Sequence, residues 1–186
     1  MTVEAPMKST QYLRLIIIIF FWMEGCLAQS DWWSDVTYRK QLWVAIQTFT
    51  GAAKGDYFQP GELLADQIGD GLGGRPEDAK TLPDGSRFLS AGRAHSGREW
   101  AAVVIAAGGH VTSAALINFG CHYSNEKDPN AQPGRAAPNA KRRVVCQSTP
   151  RLTIFSHDEL SKAVRDAYLS WGLSHAKNIE CDERRF

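Results

Sequence analysis

Three β-prone runs that follow one another closely constrain the fold of this chain most. They cover residues 86–92 (SRFLSAG), 99–106 (EWAAVVIA) and 111–120 (VTSAALINFG). The last two are separated by AGGH, whose glycines provide the positive φ that a tight hairpin turn requires. A fourth run, RLTIF at 151–155, follows Pro150. We therefore predict an antiparallel meander and a further strand later in the chain.

Two helices are predicted before these strands. Residues 35–50 place their apolar side chains on one broad helical face, and Gly51 ends the pattern. Residues 61–70 (GELLADQIGD) form a shorter helix that closes on Gly69. The segment between this helix and the first strand, 71–85, is rich in glycine and proline and is interpreted as a connection.

A third helix is predicted over residues 156–172. Ser156 and Glu159 have the spacing of a capping box, and Gly172 provides a stop. The fold class that follows is α+β, an antiparallel sheet with an N-terminal amphipathic helix and a C-terminal helix packed on it. The stripe that would face the sheet consists of Leu160, Val164, Ala167, Tyr168 and Trp171.

The first 28 residues differ from the rest of the chain. Lys8 and Arg14 precede the apolar run 15–23, and small residues lead to Ala28, which is the pattern of a signal peptide cleaved after Ala28. Nine apolar residues are too few to cross a bilayer, which needs about 20. We predict export to the periplasm or the medium, no membrane span, and one domain over 29–186. Translation starts at Met1 or at Met7.

A lipid anchor is the alternative for this leader. Cys26 follows the small residue Gly25, as in a lipoprotein signal, although Glu24 disfavours this interpretation. The rest of the composition is that of an ordinary globular protein, with 44% hydrophobic residues and a formal charge of +1. This charge balance argues against a nucleic acid as the partner.

Three cysteines remain after the predicted cleavage. An exported domain works in an oxidising compartment, where disulfides persist. Cys121 and Cys146 enclose a polar stretch with three prolines, and a bridge between them would contribute roughly 3.5 kcal/mol by chain entropy. Cys181 is left over near a charged tail. It is either an unpaired thiol or one that pairs with another chain, and a homodimer is an open possibility.

Three short motifs invite a catalytic interpretation. GDGLGG at 69–74 has the spacing of a dinucleotide loop, but it follows a helix-like run and meets Pro76, so we interpret it as a loop. Cys121 and His122 would point to opposite faces of a strand. SHDE at 156–159 is explained by the capping box, since a hydrolase triad is defined by geometry and not by adjacency.

Metal binding has no pattern to support it. Because the five histidines lie far apart in sequence, no metal-ligand spacing results. We predict no cofactor, no metal and no enzymatic activity. The five are His95, His110, His122, His157 and His175.

The loop between the first two strands has a different character. GRAHSG at 92–97 places His95 near the tip, and Arg93 and Arg98 flank it. A basic loop with one imidazole suits an acidic cleft, where it can bind to a pair of carboxylates. The alternative is a solvated hairpin loop that contains a histidine.

This loop and the order of the elements around it resemble the inhibitor of vertebrate lysozyme (Ivy) family. The resemblance covers residues 60–172 at the level of pattern. In that family the loop reads Cys-Lys-Pro-His-Asp-Cys, and its cysteines close a small ring. Here His95 stands at the histidine, Arg93 at the basic residue, Ala94 at the proline and Ser96 at the aspartate, while Gly92 and Gly97 replace both cysteines.

The resemblance implies a periplasmic inhibitor of a peptidoglycan-cleaving enzyme such as lysozyme. Arg93, His95, Ser96 and Arg98 would contact the partner, with affinity lowered by the loss of the ring. One alternative is an immunity or envelope interaction protein that neutralises another secreted toxin. Another is an exported hydrolase using either Ser156, His157 and Asp158 or Cys121 and His122.

Overall fold

The computed structural model describes residues 32–127 and 142–186. The predicted signal peptide, with Cys26 and the candidate initiator residues Met1 and Met7, lies outside the described residues. The helices are α1 Val36–Thr50, α2 Leu64–Gly71 and α3 Lys162–His175. The strands are β1 Lys54–Gly55, β2 Glu62–Leu63, β3 Lys80–Thr81, β4 Arg87–Gly92, β5 Trp100–Ile105, β6 Val111–Asn118, β7 Cys121–Lys127, β8 Arg142–Cys146, β9 Arg151–Ser156 and β10 Glu180–Arg185.

A six-stranded sheet with the order β10-β9-β6-β5-β4-β3 forms the centre of the molecule. Strands β4, β5 and β6 pair in antiparallel fashion, with Ala91 opposite Ala101 and Val103 opposite Ala114. Strand β9 also pairs with β6 in antiparallel fashion. The predicted meander, the fourth strand and the α+β class are confirmed. Two small sheets, β1-β2 and β7-β8, lie outside this one.

The first helix forms where the apolar pattern predicts it. The Asp35 side chain caps its N-terminus by accepting hydrogen bonds from the Thr37 and Tyr38 N–H groups, at 2.8 and 3.1 Å. Gly51 ends it with φ of 54°, a conformation that favours glycine. The face that it buries includes Leu42, Ile46 and Phe49.

Hydrophobic cores lie on both faces of the sheet. Helices α1 and α2 cover one face, where Leu89, Val103 and Leu116 are buried. Helix α3 covers the other face with Tyr168 and Trp171. Because the central strands are buried on both sides, they are apolar at consecutive positions instead of alternating.

The start of α3 differs from the prediction. Ser156 belongs to β9, where it pairs with Ser113 on one side and Arg185 on the other. The helix begins at Lys162, and its cap is Ser161, whose Oγ accepts a hydrogen bond from the Val164 N–H at 3.3 Å. The predicted capping box of Ser156 and Glu159 is therefore wrong, because sheet pairing holds that stretch extended.

The end of α3 also differs. The helix continues past Gly172 to His175. A Cβ at Gly172 would lie 2.9 Å from Leu152 Cδ2, so glycine is present because the helix approaches β9 closely at this point. The short helix α2 likewise begins at Leu64, since residues 62–63 pair as β2, and it ends at Gly71 beyond Gly69.

Regions without a strand prediction also contain strands, and the 71–85 connection includes β3. The polar stretch after Cys121 begins and ends in a hairpin of β7 and β8, and the predicted Cys121–Cys146 disulfide closes its base. The charged tail forms β10, which runs parallel to β9. Within residues 32–127 and 142–186, no helix has the length and apolarity to span a membrane.

Candidate functional site

The loop between β4 and β5 presents His95 at its tip. Gly92 and Trp100 pair across its base, and the Arg93 N–H donates to the Glu99 carbonyl at 2.8 Å. Inside the loop, the Ser96 N–H donates to the Arg93 carbonyl at 3.1 Å and closes a turn. His95 is exposed and has φ of 60°, a left-handed conformation that histidine adopts more readily than most side chains. The backbone thus projects the imidazole outward.

Arg93 fixes this loop from the inside. Its Nη1 lies 2.7 Å from Glu99 Oε2, and both side chains are largely buried. Its Nη2 is 3.9 Å from Asp70 Oδ2, at the end of α2. The guanidinium also stands 5.0 Å from the Phe58 ring centre. The geometry makes Arg93 a positioning residue and neutralises much of its charge.

A glycine segment supports the base of the loop from outside the hairpin. The Gly74 N–H donates to the Gly92 carbonyl at 2.8 Å, and the Gly92 N–H donates to the Arg75 carbonyl at 3.0 Å. A Cβ at Gly74 would lie 2.4 Å from the Gly92 oxygen, so only glycine fits there. Gly73 and Gly74 are loop residues as interpreted, but Gly69 and Gly71 belong to α2, where their missing side chains permit close packing against Trp43 and Ala101.

The partly buried carboxylate of Glu77 anchors the next part of this segment to β4 and α3. Glu77 accepts hydrogen bonds from Ser90 Oγ at 2.5 Å and Trp171 Nε1 at 2.8 Å. His175 Nε2 lies 3.2 Å from the other carboxylate oxygen, off the line of a straight hydrogen bond, and its ring stacks on Trp100 at 4.0 Å. Burial alone would raise the pKa of Glu77, but the contacts from His175, Ser90 and Trp171 outweigh it and lower the pKa to about 2.

This carboxylate cluster could not be found from the sequence, because its members are far apart along the chain. Glu77 lies in a segment without periodicity, and His175 follows the predicted end of the last helix. The cluster joins the C-terminal helix to the support of the His95 loop.

Arg98 lies on the other side of the loop, next to the disulfide hairpin. Its guanidinium is 4.5 Å from the Phe119 ring centre, and its backbone N–H donates to Ser96 Oγ at 3.4 Å. The Phe119 carbonyl accepts a hydrogen bond from the Gln147 N–H, directly after Cys146. Arg98 and His95 are exposed and Ser96 is half-buried, so these three are accessible to a partner.

The two glycines at the ring positions have different surroundings. A Cβ at Gly92 would lie 3.2 Å from Trp100 Cζ3, which is tighter than ordinary packing. A Cβ at Gly97 would meet nothing within 4 Å. A cysteine at position 92 would thus require Trp100 to shift, whereas position 97 has space.

The candidate hydrolase residues are placed apart from this loop. Cys121 is oxidised in the disulfide. Ser156 is buried in β9, and His157 Nε2 lies 2.8 Å from the Phe49 carbonyl oxygen. Among residues 32–127 and 142–186, no hydrogen bond joins Ser156, His157 and Asp158, and no set of three or more metal-ligating side chains converges.

Comparisons with protein-family models, curated proteins and solved structures give no match for this chain. The resemblance to the Ivy family stays a prediction.

Proposed function

We propose that this protein is an exported, periplasmic inhibitor that plugs the active site of a peptidoglycan-cleaving enzyme with the loop around His95. One observation supports this proposal above the others: an exposed imidazole at the tip of a loop whose base is fixed on both sides. Such a loop can enter a cleft without losing much conformational freedom on binding.

The mechanism follows from the chemistry of retaining glycosidases. Their two catalytic carboxyl groups are about 5–5.5 Å apart, so one imidazole inserted between them can bind to both. The nitrogens of a protonated histidine are both donors, and each would donate to one carboxylate. Arg98 adds attraction to the acidic cleft, and the Ser96 hydroxyl offers a further hydrogen bond.

We infer that contacts with neighbouring segments take the place of a disulfide ring at this loop. A six-residue ring would remove about 2 kcal/mol of entropy from the unfolded chain. Here the Arg93–Glu99 pair and the hydrogen bonds between Gly74, Arg75 and Gly92 hold the same backbone in the folded state. The order that the ring would impose is supplied by contacts with the neighbouring α2 and the 74–77 segment.

The test is inhibition of cell-wall lysis by a panel of lysozymes in the presence of the purified protein. We expect inhibition at micromolar protein, and a loss of at least ~30-fold for His95→Ala, as for the central residue of an interface. His110→Ala is the matched control, because His110 is also exposed but lies in the turn at the other end of β5. Absence of inhibition across the panel, or equal inhibition by both variants, would refute the proposal.

A further inference from the structure

A groove lies at the end of the sheet opposite the His95 loop. It is an open groove between α1 and the turn that joins β5 to β6, with a volume of about 720 Å³. Its walls are largely apolar and include Val44, Ala45, Phe49 and Val111. This volume is in the range of small-molecule sites, which are mostly apolar with a few polar groups that orient the ligand.

The turn keeps this groove open. The Ala106 N–H donates to the His110 carbonyl at 3.0 Å, and Gly109 has φ of 82°, so glycine is suited to this position. The adjacent Gly108 also contributes no side chain to the space. On the opposite wall Val44 is 59% exposed in the middle of a helix whose Leu42 and Ile46 are buried.

Lys40 is the cation that lines this groove. Its titratable lining residues are Lys40, His110 and His157, and no acidic residue lines it. Within residues 32–127 and 142–186, neither Lys40 nor His110 forms an ion pair. His157 is oriented by its contact with the Phe49 carbonyl. An apolar trough with an unpaired cation at its rim complements an anion that carries an apolar body.

We propose that this groove binds one molecule of an amphipathic anion, a linear hydrocarbon chain with a carboxylate head. The chain lies along Val44, Phe49 and Val111, and the head binds Lys40 with His110 beside it. The site is independent of the proposed inhibitory function, because β5 separates it from His95.

The experiment uses 11-(dansylamino)undecanoic acid, whose emission rises and shifts to the blue when the dansyl group enters an apolar site. We expect saturable binding with one site per chain, and displacement by dodecanoate below its micellar concentration. Dodecanol, which has the same chain without the charge, should compete at least ~10-fold more weakly. No saturable signal, or equal competition by dodecanol, would overturn the proposal.

Two variants locate the site. Val44→Asp places a carboxylate in the apolar wall and should weaken binding at least ~10-fold. Val36→Asp is the matched control, since Val36 is 54% exposed on the same helix but outside the groove. Lys40→Glu changes an exposed residue at the rim and should weaken dodecanoate while leaving dodecanol unchanged. Equal effects of both valine variants, or of Lys40→Glu on both competitors, contradict the assignment.

Two further measurements distinguish the groove from the His95 loop and from a membrane-binding surface. His95→Ala should leave dansyl binding unchanged, and Val44→Asp should leave any inhibition of lysozyme unchanged. Co-sedimentation with anionic phospholipid vesicles, if dodecanoate does not reverse it, would indicate a membrane surface as the ligand and would overturn binding of a single free amphiphile.

Discussion

The two connections of the meander differ in what holds them in place. The turn between β5 and β6 is stabilised by its own backbone, through the Ala106–His110 and Gly109–Ala106 hydrogen bonds. The loop between β4 and β5 has internal hydrogen bonds too, but it also contacts Gly74 and Asp70 outside it, and Glu77 holds Ser90 of the adjoining strand. Each presents an exposed histidine, but only the longer loop is coupled to helices on both faces of the sheet. A turn can be local, whereas a projecting loop needs support from the rest of the fold.

Gly74→Ala should destabilise the protein more than any other substitution at the two connections, because it removes external support from the β4–β5 loop. The new Cβ would lie 2.4 Å from the Gly92 carbonyl oxygen. Because this oxygen belongs to the backbone, it cannot move aside without distorting the base of the loop. We expect a loss of about 3 kcal/mol in the free energy of unfolding, measured by urea denaturation. Gly97→Ala, with open space around its Cβ, is the control, and equal losses at the two positions would contradict a supporting role for Gly74.

Acid should weaken the support of the loop next. The pKa of Glu77 is lowered from 4.5 to about 2 in the folded protein. A carboxyl with a lowered folded pKa stabilises the protein fully above its unfolded pKa, and this contribution is lost as pH falls from about 4.5 to about 2.

After allowance for partial exposure, the Glu77 contribution is about 2 kcal/mol. It should be visible as a drop in unfolding free energy between pH 5 and pH 2 that is smaller in Glu77→Gln. A drop of the same size in both proteins would show that other carboxylates dominate acid unfolding.

Removal of the internal arginine should have a moderate effect. Arg93→Ala leaves Glu99, which is largely buried, without its partner, and we expect a loss of about 1.5 kcal/mol in thermal denaturation. Arg98→Ala removes an exposed contact with the Phe119 ring and should cost about 0.5 kcal/mol. A larger loss for Arg98→Ala would reverse the assignment of the two arginines.

The smallest changes in stability are expected for alanine substitutions of Gly109 and Gly97, one in each connection. Gly109→Ala forces an alanine into φ of 82° and should cost about 1 kcal/mol. Gly97→Ala has neither a positive φ nor a close neighbour, and it should stabilise by about 0.5 kcal/mol through the unfolded chain. Calorimetric melting of the two variants checks the opposite signs.

The parts of the fold that sequence could predict are those fixed by local chemistry. Asp35 and Gly51 mark the limits of α1 because a cap and a positive φ act within a few residues. The AGGH turn is likewise determined by residues that are close together in the sequence. Ser156 shows the limit of this reasoning, since its spacing to Glu159 is that of a capping box but its backbone pairs with two neighbouring strands.

The position of the loop was predictable, but the contacts that support it were not. The residues of the loop indicated an exposed histidine between two strands, and the structure has it there. The roles of Gly74 and Glu77 depend on approaches between segments distant in sequence, and neither leaves a periodic signal. Arg93 resembles Arg98 in the sequence, yet one is turned inward to Glu99 and the other lies over Phe119.

The strand formed by the charged tail limits how this protein can associate with copies of itself. Strand β10 is one edge of the main sheet, and its side chains are mostly exposed and of both signs. The other edge, β3, has only two residues. Charge at one border and shortness at the other disfavour extension of the sheet by a second chain. The two borders of the main sheet are therefore poor templates for strand-by-strand aggregation.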